Sequence, residues 1–153
     1  MNRVDLARLR KLVEAARGSP RLRMNDNLHG MRDAIHRLLN ATEPGTYVQP
    51  HRHLAPPKVE TLAVLRGRGA ILLFDHAGEI TERCVLSPTG PDFVAEIPAG
   101  SWHTLIALEP GTVWFEVKAG PYEPPGPAEI APFAPAPDDP GAKEYLAGLL
   151  SRV

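Results

Sequence analysis

The sequence predicts an all-β sandwich or barrel with a helix at each end. Three observations predict it: short apolar runs punctuated by turn residues from about residue 34 onward, a helical apolar stripe before them, and a second stripe at the C-terminus. At 153 residues the chain suits one domain with its own core, and no repeat, linker or second domain is visible. Within 1–153 it divides into a helix and leader over 1–33, a β core over 34–118, and a proline-rich arm with a closing helix over 119–153.

Taken in order, Asn2 is the predicted cap of the first helix, with Asp5 near its positive end. Leu6, Leu9, Leu12, Val13 and Ala16 form one stripe that should cover part of a sheet or a partner subunit, and Gly18-Ser19-Pro20 ends it. Strands are predicted near 34–41, 46–53, 60–66, 69–75, 79–87, 93–97, 102–108 and 112–118. Asp75-His76-Ala77-Gly78-Glu79 and Glu109-Pro110-Gly111 read as turns. In the last strand Val113, Phe115 and Val117 alternate with Trp114, Glu116 and Lys118, and alternation does not say which face points inward. Residues 120–140 hold eight of the seventeen prolines, but Tyr122, Ile130 and Phe133 favour an arm pinned to the body over a disordered one. A closing helix from about Pro140 to Leu150 presents Tyr145, Leu146, Leu149 and Leu150.

Composition narrows the function classes. No apolar run is long enough for a membrane helix, no signal-peptide core is present, and the lone Cys84 cannot pair internally, so a cytoplasmic protein without a membrane partner is expected. Residues 1–37 hold nine Lys/Arg against four Asp/Glu. No aromatic residue is interleaved among those charges, which argues against nucleic acid and for a solvated basic helix.

The chemistry lies in His51, His53, Glu60 and His103. Three imidazoles and a carboxylate suit one divalent transition metal per chain, with zinc, iron, nickel, manganese and cobalt all admissible. On an extended strand His51 and His53 share a face, their Cα atoms roughly 6.6 Å apart, close enough to converge on one ion. His-x-His alone is better explained by a chance pair of surface histidines. Glu60 opening one apolar run and His103 opening another turn the reading towards metal. By the same period of two, Tyr47 and Gln49 should line the metal cavity and touch the ligand, while Arg52 should face away. Tyr47 and the loop residue His29 are the candidate acid/base groups, His29 by folding over the barrel mouth.

Gly45-x5-His51-x-His53-x6-Glu60-x6-Gly67 resembles the first cupin motif, and Pro98-x-Gly100-x2-His103 the core of the second. The resemblance extends to the WbuC family of cupin-fold metalloproteins, through Ser19-Pro20-Arg21-Leu22-Arg23, Asn27-Leu28-His29, Glu43-Pro44-Gly45-Thr46-Tyr47, Ile97-Pro98-Ala99-Gly100-Ser101-Trp102-His103 and Glu116-Val117-Lys118-Ala119-Gly120-Pro121-Tyr122. It covers 19–122 strongly and the ends weakly. The chain departs from the general pattern in its long His53-to-Glu60 gap, which leaves Glu60 as either fourth ligand or acid/base residue, and in Ala107 where many cupins carry Asn.

The resemblance implies a cupin-type double-stranded β-helix, or jelly-roll barrel, holding a metal. WbuC-like proteins are associated with bacterial surface-polysaccharide gene clusters, which implies a sugar or nucleotide-sugar ligand. The leading expectation is a metal-dependent isomerase or epimerase. The alternatives are an Fe(II) dioxygenase and a non-catalytic binding or regulatory module. A homodimer is expected from the apolar surface of the first stripe, the arm with Tyr122 and Phe133, and the Leu149-Leu150 face.

Overall fold

The structure is a computed structural model and describes residues 1–153. Helix α1 spans Leu6–Arg17 and α2 Ala142–Leu150. Between them run β1 (Arg23–Asn27), β2 (Ile35–Thr42), β3 (Glu60–Arg66), β4 (Gly69–Phe74), β5 (Ile80–Leu86), β6 (Val94–Ile97), β7 (Trp102–Ala107) and β8 (Thr112–Ala119). They form two antiparallel sheets, one ordered β1-β2-β8-β3-β6 and the other β5-β4-β7. This is an all-β cupin jelly roll with flanking helices. No helix is long and apolar enough to cross a membrane.

Three apolar layers hold it together. Leu62, Val64 and Trp114 of the larger sheet meet Ile71, Leu86 and Leu105 of the smaller one. Gly69 is required there, because a Cβ at that position would lie 2.1 Å from the Trp114 ring. On the outer face of the larger sheet, Leu9, Leu12, Val13 and Ala16 of α1 cover Leu39, Ala41 and Val113. Each of the larger side chains contributes about 1.5–3 kcal/mol of burial. On the outer face of the smaller sheet, α2 and the arm bring Leu146, Leu149, Ala131 and Ala134 onto Leu72, Phe74, Trp102 and Ile106. The helix stripes are thus covered within one chain except at Leu6 and Leu150, which stay exposed, and Phe133 packs on Phe74 and Trp102. The surplus apolar surface behind the homodimer expectation is largely covered internally, although Tyr122 stays half exposed.

Several elements differ from their expectation. The cap of α1 is Asp5, whose carboxylate accepts the Arg8 N–H at 2.9 Å, not Asn2. Strand β1 lies outside the predicted set: Arg-Met-Asn-Asp-Asn shows no apolar alternation, because its inward face borders a polar cleft. The predicted strand 46–53 does not form as one element. Pro50 cannot donate to a ladder, and 46–50 pairs with no strand. Only the end of this stretch is pinned. His51 and His103 exchange backbone hydrogen bonds at 3.0 and 2.9 Å, while Pro50 O and Arg52 N bond to Ala131 N and Glu129 O. The proline-rich arm therefore acts as an outer rail that holds the His51 segment against β7.

Candidate metal centre

Four side chains from three places in the chain converge. The pinned 51–53 stretch supplies His51 and His53, the first residue of β3 supplies Glu60, and the second residue of β7 supplies His103. One ligand atom from each lies within 4.8 Å of all the others. The turn before β7 sets the last of them: Gly100 has φ +78°, a conformation that favours glycine, and the chain then alternates Trp102 outward and His103 inward. The long gap from His53 to Glu60 is accommodated by a loop anchored on Glu129, whose carboxylate accepts the Leu54 and Gly126 N–H groups.

The hydrogen bonding shows what the cluster lacks. His103 Nδ1 donates to Ser101 O at 2.9 Å and His51 Nδ1 to Gln49 O at 3.1 Å. Each ring therefore carries its proton on Nδ1 and aims a bare Nε2 at the centre. His103 Nε2 lies 3.1 Å from one Glu60 oxygen, and His53 Nε2 lies 2.7 Å from the other. Neither contact has the geometry of a hydrogen bond, and both nitrogens are buried without a partner. A lone pair facing a carboxylate oxygen in a buried site needs a cation between them. Charge makes the same demand: the Glu60 and Glu116 carboxylates share one ammonium, Lys118, at 2.6 and 2.7 Å. The residues fit a divalent ion, which His51, His53, His103 and Glu60 could hold.

Electrostatics keeps these groups in the ligating form. The His51 imidazole is lowered to about 3, chiefly by burial and then by His103. Burial pushes the Glu60 carboxyl up, but the Lys118 ammonium 2.6 Å away opposes this and holds it well below the usual carboxylate range. Burial likewise opposes the Lys118 charge, and Glu116 and Glu60 reverse this and raise it. For Lys118 the sequence leaves two readings open, pairing with Glu116 inside the barrel or facing water, and the structure shows the pair. Its face of β8 is settled by the β3 ladder, where Lys118 stands opposite Glu60.

The cluster opens into a cleft of two adjoining cavities, about 430 and 390 Å³, which share Arg23, Asn25, His36, Asn40, His51 and Lys118. Gln49 lines it, as expected, and donates its side-chain amide to Ala134 O at 3.2 Å. His29 lines the smaller of the two cavities, stacked on His36 at 4.0 Å, with Nδ1 2.7 Å from Arg37 O and 2.9 Å from Arg37 N. Tyr47 does not line it. Its ring packs beside the outer core and Tyr145, and its hydroxyl donates to Pro135 O at 2.8 Å. The period of two fails because 46–50 belongs to no ladder, so Val48 and Gln49, neighbours in sequence, both face the cleft. Arg52 does face away, its guanidinium 4.1 Å from the Trp102 ring centroid.

Comparison with known proteins agrees with this frame. The family model described as Domain of unknown function (DUF6016) matches residues 4–86. Among solved structures, the TT1209 protein from Thermus thermophilus is similar at 22% identity, covering 78% of this chain and 97% of that one, with TM-score 0.55. KdgF from Halomonas sp. is similar at 18% identity, covering 69% and 84%, with TM-score 0.53. A cupin superfamily protein (DSY2733) from Desulfitobacterium hafniense DCB-2 is similar at 15% identity, covering 63% and 76%, with TM-score 0.50. No curated protein matches.

Proposed function

This chain belongs to the family described as Domain of unknown function (DUF6016), and on its cupin frame we propose a metal-dependent enzyme, isomerase- or epimerase-like, acting on a small oxygen-rich molecule. A sugar or nucleotide-sugar is the substrate class, in keeping with the WbuC-like motifs and a role in surface-polysaccharide metabolism. The observation that carries this reading is the bare, buried His103 Nε2 facing the Glu60 carboxylate at 3.1 Å. When bound, a divalent ion would act as a Lewis acid on ligand oxygens. The chain's own residues supply the rest. Lys118, tied to both Glu60 and Glu116 beside the cleft, keeps its proton at Nζ and offsets part of their charge. Gln49 and His29 flank the ligand. The polar lining, with four hydrophobic residues among eighteen, suits a hydroxylated molecule better than an apolar one.

A non-catalytic binding module is the second reading, favoured by one specific fact: the Tyr47 hydroxyl is spent on Pro135 O, which removes one of the two expected acid/base groups. Mass spectrometry of the small molecule carried by anaerobically purified protein, followed by incubation with that molecule, separates the readings. Rearrangement without oxygen supports the isomerase, oxygen uptake with iron present supports a dioxygenase, and an unchanged ligand supports the binding module.

A further inference from the structure

The cleft has a second chemical feature besides the metal cluster. β1 pairs with β2 so that Arg23 stands opposite Thr42 and Asn25 opposite Asn40, and Arg23, Asn25 and Asn40 all line the cleft. Arg23 is half-buried, yet its guanidinium makes no ion pair or hydrogen bond. The carboxylates near it are taken. Arg8 holds Asp26 at 2.6 Å, and Arg17 holds Glu43 at 2.9 Å. Glu60 and Glu116 serve Lys118, Glu129 serves backbone N–H groups, and Glu123 stays on the exposed rim. Arg21 adds a second positive charge beside Arg23, and Lys58 lines the same cleft. Asn40 keeps its side-chain oxygen buried and unpaired. An arginine withdrawn from water with no protein anion is an arrangement that an incoming anion relieves. The unpaired Asn40 oxygen is an acceptor for a hydroxyl.

We propose that Arg23, supported by Arg21, is the anion-recognition site of the cleft, so that the ligand is a hydroxylated molecule carrying a carboxylate or phosphate at the end remote from the metal cluster. This rests on the reading of the cleft as the ligand site. Arg23 lies on the edge strand, level with Thr42 of β2, whereas Glu60 lies three strands across and level with His36, six residues away along β2. The anionic group and the metal-facing group therefore sit at opposite ends of an extended ligand. A planar guanidinium can take either oxyanion bidentately.

The test is calorimetric titration of the protein, metal-loaded and chelator-treated, with glucuronate, glucose 6-phosphate and uncharged glucose. At least one charged probe is expected to bind at least about tenfold more tightly than glucose in both forms, and increasingly weakly as salt is raised. The tighter of the two identifies carboxylate or phosphate as the recognised group. Arg23→Met should erase that preference without changing metal content, and Arg23→Lys should restore part of it. Equal affinity for charged and uncharged probes, binding of none, or an undiminished preference in Arg23→Met overturns the anion site. Should Arg23→Met not fold, loss of the preference on adding inorganic phosphate to wild-type protein supports the site, and indifference to phosphate overturns it. Charge preference that persists in protein unable to retain metal would separate failure of the metal reading from failure of this one.

Discussion

Strands β3 and β8 pass through two ends of one barrel that obey different rules. At one end their inward residues are Val64, Leu62 and Trp114, dry and packed on the smaller sheet. One inward step further along they are Glu116, then Glu60 opposite Lys118. Glu60 is only 3% exposed, Glu116 5%. The dry end is stabilised by area removed from water and by satisfied polar atoms, Trp114 Nε1 donating to Thr42 Oγ1 at 3.0 Å and Thr112 Oγ1 to backbone carbonyl oxygen. The other end is stable only as a set of mutually paired charges, and by its own bonding the set is incomplete. Inward position thus means burial at both ends and apolarity at only one.

The comparison is sharpened first at the dry end. Trp114→Ala should cost about 3–5 kcal/mol in urea unfolding, from the cavity and the lost hydrogen bond, while metal content stays at wild-type level. Equal loss of metal would show that the two ends are one cooperative unit. The next effect belongs to the polar end and depends on pH. The His51 imidazole is held neutral in the fold, down to about 3, so the unfolded chain takes up its proton first. Its contribution to stability is therefore fully present above about pH 6.5 and is lost progressively as pH falls from there towards 3. Glu60, held low, adds its own loss below about pH 4.3 as it protonates. Urea midpoints of metal-free protein should fall from pH 7 to pH 4, and His51→Asn should flatten the upper part of that fall. A flat wild-type profile would contradict the assignment. The smallest effect is that of Tyr47→Phe, about 0.5–1.5 kcal/mol from the lost bond to Pro135 O. Metal content and ligand affinity should be unchanged, and a drop in either would return Tyr47 to the cleft.

What is legible in the sequence follows the same division. The cluster of His51, His53, Glu60 and His103 can be read because His-x-His, the later glutamate and the histidine after a Pro-x-Gly turn are tied to local chain geometry. The strand spans from Glu60 onward are legible because short apolar runs are separated there by turn residues. Tyr47 is misplaced by the period of two because that period holds only inside a ladder, and 46–50 has none. β1 leaves no trace because its inward face carries Arg23 and Asn25 and its outward Asp26 pairs with Arg8, so no apolar periodicity exists to detect. Lys118 gives no signal of its own. Its partners lie two residues away on its own strand and 58 residues away across β3, and only the latter's register shows that the charge faces inward. Apolar stripes on α1 and α2 look the same in sequence whether a sheet or a partner buries them, and the structure covers most of each within the chain while Leu6, Tyr122 and Leu150 stay exposed.

The central claim is that the polar end is completed by a divalent ion held on His51, His53, His103 and Glu60. Elemental analysis of anaerobically purified wild-type, His51→Ala, His53→Ala, His103→Ala and Glu60→Gln protein tests it most directly. One divalent transition metal per wild-type chain is expected, with severe loss in each histidine variant and Glu60→Gln between them. Wild-type stoichiometry retained in all three histidine variants would contradict it.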